Sequence, residues 1–387
     1  MTSMDAPFYD VNLSYEDNYA KGPFGAFATA LAREDAADAA AGAAAVAAGT
    51  TAAAARPAAT FLGIPVDLPF GIPAGPLLNS RYTHAAFLEG FDIAVYKTVR
   101  SRPWACNAFP NVLSVHPQGD SIDPEGTEKD EGVLADSDFG TDAARISISN
   151  SFGVPSQDPD VWQPDMALAV QQAGAGQVLV GSFQGSRTPG MSDDAYIADC
   201  VTTARLVQET GAKIIEMNTS CPNEGHNRLL CHNPELVGRI CDAVKNEIGD
   251  TPFMIKLAYL PADEQVETMV RDTAAHGTVQ ALCTINTISC KLVDAQGGQA
   301  LPGAGRDRSG VCGAAIRPAG LAMVRRVAAV RERLGVPFDI VGVGGVTTPA
   351  DYEAYRAAGA AAVMSATGAM WNPALARQIK AGEVAAR

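Results

Sequence analysis

What this chain lacks narrows its role first. It has no uninterrupted, strongly apolar run long enough to cross a bilayer, so no membrane span is expected. Positive charge is scarce: 29 Lys and Arg stand against 43 Asp and Glu, a formal net charge of −14. Such a surface opposes non-specific nucleic-acid binding, and an anionic substrate would need locally placed cations. The stretch Met1 to Tyr19 is polar and aromatic, without the basic-then-apolar order of a secretory leader. The eight cysteines, at 106, 200, 221, 231, 241, 283, 290 and 312, follow no regular framework, which suits reduced thiols in a cytoplasm. No metal is expected, because Cys221, His226, Cys231 and His232 lack the paired close ligands of a structural zinc site.

What is present suits a large core. The 47% hydrophobic content and 387 residues fit one α/β barrel with additions. Residues 1–60 read as an amino-terminal extension. Its first part carries aromatic anchors (Phe8, Tyr9, Tyr15, Tyr19, Phe24, Phe27) that could pack on a body or on another subunit. Its second, Asp35 to Thr60, is mostly Ala, interrupted by Gly42, Gly49 and Pro57, and reads as a helix or a linker.

Residues 61–387 alternate short apolar runs with amphipathic stretches, the pattern of a (β/α)8 TIM barrel. Eight strands are expected: Phe70–Ala74, Ile93–Lys97, Val178–Ser182, Ile214–Asn218, Phe253–Leu257, Ala281–Asn286, Ile340–Val343 and Ala362–Ser365. Helical text lies between them at Asp194–Glu209, Asn233–Ile248 and Ala319–Leu334. One interval breaks the rhythm. Arg100 to Asp165 is long, rich in Pro and Asp and poor in helical periodicity, and is expected to form an insertion over the barrel mouth.

Chemistry gathers at the strand ends, where such barrels assemble their sites. Asn218-Thr219-Ser220-Cys221-Pro222-Asn223 follows an apolar strand and brings amides together with a thiol. A thiol titrates near pH 8.5, about right for a general base, although cysteine also serves as a small buried apolar group. Four asparagines, Asn150, Asn218, Asn223 and Asn286, with Thr287 beside the last, offer donors and acceptors suited to an imide or amide ring. Capping of turns is the ordinary employment of any one of them. Lys97 and Lys256 each end an apolar strand, where an ammonium is costly unless it meets an anion. Finally, Val343-Gly344-Gly345 and Ser365-Ala366-Thr367-Gly368 end the last two strands, the usual place for a phosphate on bare backbone N–H groups.

In these residues the chain resembles the dihydroorotate dehydrogenase family of flavin mononucleotide barrels, in order from about Phe61 to Pro373. The most specific pieces are Asn150-Ser151-Phe152-Gly153-Val154-Pro155, Glu216 to Asn223, Ile255-Lys256-Leu257, Gly313-Ala314-Ala315-Ile316-Arg317-Pro318 and Gly342-Val343-Gly344-Gly345. The resemblance implies FMN, with Ala74, Gly75, Lys97 and Thr98 lining it, Asn150 and Asn218 near its ring and Lys256 at the N1–O2 edge. It implies Gly313, Gly344, Gly345 and Thr367 along the ribityl chain and phosphate. Asn150, Asn218, Asn223, Asn286 and Thr287 would hold the substrate, with Cys221 as the base. The implied reaction oxidises dihydroorotate to orotate, as a step of pyrimidine metabolism.

There are departures from the family pattern. Ala366 stands where Gly is common, and Glu224-Gly225-His226 replaces the usual Pro-Gly continuation. Cys231 to Val237, Gly303-Ala304-Gly305-Arg306 and Thr287 are more similar to the pyrimidine-reducing branch, whereas Asn223 favours dihydroorotate. Dihydrouracil, dihydrothymine or another cyclic amide is therefore the alternative substrate, and a flavin-binding barrel without turnover the alternative class. Electrons would pass to a soluble acceptor or to a separate electron-transfer subunit, and a homodimer is expected.

Overall fold

A computed structural model describes residues 7–44, 59–126, 132–220, 222–224 and 228–386 of the chain. Its centre is a closed sheet of eight parallel strands: β1 (Phe70–Ile72), β2 (Ile93–Val95), β3 (Val178–Phe183), β4 (Ile214–Asn218), β5 (Phe253–Leu257), β6 (Ala281–Thr284), β7 (Asp339–Val343) and β8 (Ala362–Met364). Each strand pairs with its neighbours in chain order, and β8 closes the ring on β1. All eight expected strands are present, several shorter by one or two residues at their carboxyl ends.

The helices that follow them are α1 (Ser80–Leu88), α2 (Pro159–Gln171), α3 (Asp193–Glu209), α4 (Pro234–Ile248), α5 (Asp263–Asp272), α6 (Arg317–Leu334), α7 (Pro349–Ala357) and α8 (Leu375–Ala386). Their starts are readable in the residues. Ser192 accepts a hydrogen bond from Ala195 N, and Thr348 forms a reciprocal capping box with Asp351 ahead of Pro349. Both devices satisfy amide groups that the first turn leaves unpaired.

Strand alternation sorts the apolar residues into two layers. Ile93, Val95, Val178, Val180, Ile214, Met254, Val341 and Met364 fill the barrel interior, while Ala94, Leu179, Ile215, Ile255 and Ile340 face the helices. A hairpin, Ala59–Phe61 paired with Ile64–Val66, closes the amino-terminal end, and Phe61 and Val66 join the interior layer.

The interval Arg100 to Asp165 does contribute an insertion, and three short strands run through its otherwise irregular chain. Ser114–His116, Val133–Asp136 and Ser147–Asn150 combine with Ile288–Val293 and Arg308–Gly313 into a second closed sheet of five strands. The last two come from the segment after β6, for which the sequence reading offered no strand. Its signal was there: Ile288, Cys290 and Leu292 are buried while Ser289 is exposed, the period-two pattern of a half-buried strand.

The amino-terminal anchors pack on this body. Phe8 stacks on Phe27 with ring centroids 4.1 Å apart, and Tyr82 of α1 donates to Asn18 O. Helices cover Tyr15–Lys21 and Gly25–Ala44, so the first part of the Ala-rich stretch is helical. Of the rest of that stretch, residues 45–58 lie outside the described residues, and Ala59 and Thr60 begin the hairpin. Among the described residues no helix is long and apolar enough to cross a membrane.

Barrel closure depends on one glycine in β1. A Cβ built on Gly71 would sit 2.0 Å from the Ile93 carbonyl oxygen, a backbone atom with no room to retreat. Gly71→Ala is expected to cost about 3 kcal/mol of stability, at the upper end for overpacking. Urea unfolding checks this; a midpoint equal to that of the unsubstituted protein contradicts it.

Candidate active site

The interior of the barrel changes character along its axis. On the same strand face, two residues beyond the apolar layer, come Lys97, Ser182, Glu216, Lys256 and Cys283, with Asn218 two residues further along the strand from Glu216. The chain therefore turns polar only at the carboxyl ends of its strands. Lys97 is 8% exposed, Lys256 5% and Glu216 0%. Lys256 lies in register with Asn218 on one side and with Cys283 on the other. Glu216 Oε1 accepts from Ser182 Oγ at 3.1 Å, and Ser182 Oγ is 3.0 Å from Thr98 Oγ1. Glu216 Oε2 has no hydrogen-bond partner among the described residues.

Next to this charged layer runs a chain of amides. Asn286 Nδ2 donates to Asn218 Oδ1 at 3.2 Å, and Asn218 Nδ2 lies 2.8 Å from Gln184. Gln184 in turn faces the Arg100 guanidinium, which Val154 O and Gly185 O hold in place. The start of the loop after β4 is tied down too. Thr219 Oγ1 donates to Lys256 O at 2.6 Å, and Ser220 N donates to Asn218 Oδ1 at 3.1 Å. Cys221 and the side chain of Asn223 lie outside the described residues.

Asn150 ends its strand exposed and in register with Gly310, and a Cβ on Gly310 would meet Thr287 Oγ1 at 2.1 Å. The second sheet thus carries Asn150 to the side of the mouth where Asn286 and Thr287 stand. Of the four expected asparagines, Asn218 and Asn286 meet directly.

The glycine-rich ends of β7 and β8 also meet. Tyr355 donates to Gly344 O at 2.6 Å, and Gly345, at φ 68°, lets the turn press on Arg317 at the start of α6, where a Cβ would be 2.5 Å from Arg317 Cβ. Thr367 Oγ1 donates to Cys312 Sγ at 3.5 Å, and Gly313 follows directly in that strand. Ala74 and Gly75 follow β1, and a Cβ on Gly75 would meet nothing within 4 Å. Backbone open on this side, with cations nearby, suits a planar, phosphate-bearing cofactor.

Burial governs the electrostatics. It is the chief cause pulling the Lys97 ammonium down to about 8; Arg100 adds to the effect and Cys106 opposes it. Burial pushes the Cys312 thiol up to about 11 despite Thr367 and Lys256, and the Cys106 thiol likewise up to about 11. The Cys283 thiol is driven higher still by burial, with Lys256 and Glu216 as its charged neighbours. These thiols stay protonated at neutral pH. Glu216, Ser182, Gln184 and Arg100 are additions to the residues expected from the sequence. Of these only Glu216 carried a local signal, an acid in the middle of an apolar strand.

Comparison with known proteins points one way. The family model described as dihydroorotate dehydrogenase matches residues 144–384. A dihydroorotate dehydrogenase of Dictyostelium discoideum is 34% identical over 379 residues, 96% of each chain. The catalytic subunit of a dihydroorotate dehydrogenase B (NAD(+)) of Thermoplasma acidophilum is 29% identical over 222 residues, covering 57% of this chain and 66% of its own. A putative dihydroorotate dehydrogenase A (fumarate) of Solibacter usitatus is 30% identical over 177 residues, 45% of this chain and 55% of its own.

Lys97 makes a test of the buried charge. Its ammonium titrates at about 8 in the fold, against 10.5 ordinarily. Between those values the unfolded chain binds more protons, so stability rises with pH across that window, and the burial penalty is felt in full below it. Lys97→Met is expected to stabilise the ligand-free protein by about 3 kcal/mol at neutral pH, the gain fading as pH climbs towards about 10. Thermal unfolding across pH 6 to pH 10.5 measures it; equal stability of the two proteins at pH 7 would remove the claim.

Proposed function

The chain belongs to the dihydroorotate dehydrogenase family, and from that premise we propose that it binds FMN at the barrel mouth and oxidises dihydroorotate to orotate, with Cys221 as the base. It is an oxidoreductase acting on a CH–CH group. The observation that carries the finer reading is a pair of buried lysines at inward strand ends, one of which, Lys256, lies in register with Asn218, whose amide meets Asn286.

The donor set fits the cofactor. Ala74, Gly75, Lys97 and Thr98 would line one side of it, with Lys256 at its electron-rich edge and Gly313, Gly344, Gly345 and Thr367 along its ribityl phosphate. When bound, the flavin supplies a two-electron acceptor for the hydride that leaves the substrate carbon.

The chain's own groups do the rest. Asn150, Asn218, Asn223, Asn286 and Thr287 would hold the imide edge of the ring, offering donors to its carbonyls and acceptors to its N–H groups. With the ring so fixed, the Cys221 thiolate removes the proton from the carbon beside the ring carbonyl. Orientation supplies a large share of the acceleration, because both reacting carbons must face their partners in one pose. The low-exposure surroundings of Lys97 and Lys256 strengthen their pull on developing negative charge.

We place the electron acceptor among soluble molecules or a separate partner subunit. The similar proteins are named for NAD(+) and for fumarate, which leaves both routes open to the family. A homodimer in the cytoplasm completes the reading.

Anaerobic spectra test it. The purified protein is expected to be yellow and to bleach on adding dihydroorotate; a yellow protein that stays oxidised moves the substrate to dihydrouracil or another cyclic amide. Cys221→Ala is expected to keep its flavin and to be reduced about 100-fold to 10,000-fold more slowly, the usual worth of a general base. Reduction at an unchanged rate by that variant takes the base assignment away from Cys221.

A further inference from the structure

The loop that follows Asn150 is held in a conformation it would not keep alone. Val154, a β-branched residue, has φ 53°, and Gly153 has φ 75°. Left-handed backbone at a β-branched residue persists only where the surroundings impose it. On one side the imposing groups are polar. Arg306 donates to Ser151 Oγ at 2.8 Å and Ser151 O at 3.2 Å, Asn111 Nδ2 donates to Ser151 O at 3.0 Å, and Arg100 Nε donates to Val154 O at 3.0 Å.

On the other side the contact is aromatic and comes from outside the barrel. Phe152 meets Tyr9 edge-on, with ring centroids 5.8 Å apart and planes at 87°, and meets Tyr15 at 6.4 Å and 68°. Both tyrosines are buried. Their segment is itself fixed: Asn18 Nδ2 donates to Asp10 O and Ser14 O, Asn79 Nδ2 donates to Tyr19 O, and Arg81 holds Ala20 O and Lys21 O. Rings anchored in this way can transmit position to whatever they touch.

We propose that the amino-terminal segment is a working part of the site, in which Tyr9 and Tyr15 are positioning residues that hold the Asn150–Ser156 loop in its substrate-facing geometry through the ring of Phe152. The proposal rests on the reading above in one respect, that Asn150 touches substrate. It goes further in making the extension, which lies wholly outside the barrel, a determinant of substrate affinity. Its expected signature is a loss of substrate affinity with the chemical step little changed.

The experiment is hydrogen exchange on the full-length flavin-loaded protein, read at the peptide covering residues 150–156, with orotate affinity followed by perturbation of the flavin spectrum. Tyr15→Leu keeps an apolar side chain and removes the ring; it is expected to speed exchange in that peptide and to weaken orotate, each by about threefold to tenfold, the worth of an edge-to-face ring pair. Tyr15→Phe keeps the ring, losing only the hydroxyl that meets Gln157, and is expected to stay within about twofold of the unsubstituted protein in both. The limiting rate of flavin reduction should change by less than about twofold. Phe152→Leu removes the ring from the loop side while leaving Tyr9, Tyr15 and the hydrogen bonds of their segment in place, and is expected to reproduce the faster exchange. If Tyr15→Leu speeds exchange only within its own segment, or Phe152→Leu leaves the loop unchanged, the segment is an anchor and the proposal fails. Exchange needs no substrate, so a protein that proved indifferent to orotate would overturn the assigned reaction while leaving this result to be judged on its own.

Discussion

Charge held out of water at the barrel mouth is the constraint on which the rest of this structure depends. Two ammonium groups and a carboxylate, from Lys97, Lys256 and Glu216, occupy a layer almost closed to solvent. Burying such groups is expensive unless they are paired or given hydrogen bonds. The surroundings supply only part of that: Ser182 reaches one oxygen of Glu216, while the other has no partner among the described residues. The fold tolerates the remainder because everything beneath is apolar and closely packed, from Ile214 and Met254 down to Phe61 and Val66 of the closing hairpin. Stability is given up at the mouth in return for groups whose fields are strong where a reaction needs them.

The closed parallel sheet turns this cost into geometry. Since alternate residues of a strand share a face, the ring turns Lys97, Ser182, Glu216, Asn218, Lys256 and Cys283 inward at its carboxyl end, with Ser182 in register with Glu216 and Lys256 in register with Asn218 and Cys283. None of them then needs a flexible loop to reach the centre. The linked amides of Asn286, Asn218 and Gln184 extend the same rigidity sideways, ending on an arginine that is itself held by two backbone carbonyls. Sites built on strands in this way keep their angles better than sites built on loops.

The mouth also needs a cover, and the cover is assembled from distant pieces. The five-stranded sheet draws three strands from the insertion after β2 and two from the segment after β6. Arg306 bolts the two parts together by donating to Ala108 O and Pro110 O as well as to Ser151. The amino-terminal segment adds its rings, Tyr9 and Tyr15 against Phe152. A loop with left-handed backbone at Val154 is held between Arg306 and Arg100 on one side and the rings of Tyr9 and Tyr15 on the other.

Much of this was legible in the residues alone, because much of it is local. Eight apolar runs of strand length, the helical stretches between them, Thr348 ahead of Pro349 and the paired glycines after Val343 are signals carried within a few residues each. Lys97 and Lys256 drew attention by ending apolar runs, and the asparagines by following them. The sequence by itself determined the barrel, its polarity and the motif by which it resembles its family. The tertiary structure alone decided that the insertion is a sheet completed by Ile288–Val293 and Arg308–Gly313, that Gln184 and Arg100 stand behind Asn218, and that Tyr9 and Tyr15 reach Phe152. Those contacts join residues far apart in the chain, as Arg306 and Ser151 are separated by 155 positions. No local pattern encodes such a pairing, since it exists only once barrel closure has brought the strand ends, the insertion and the amino terminus to the same place.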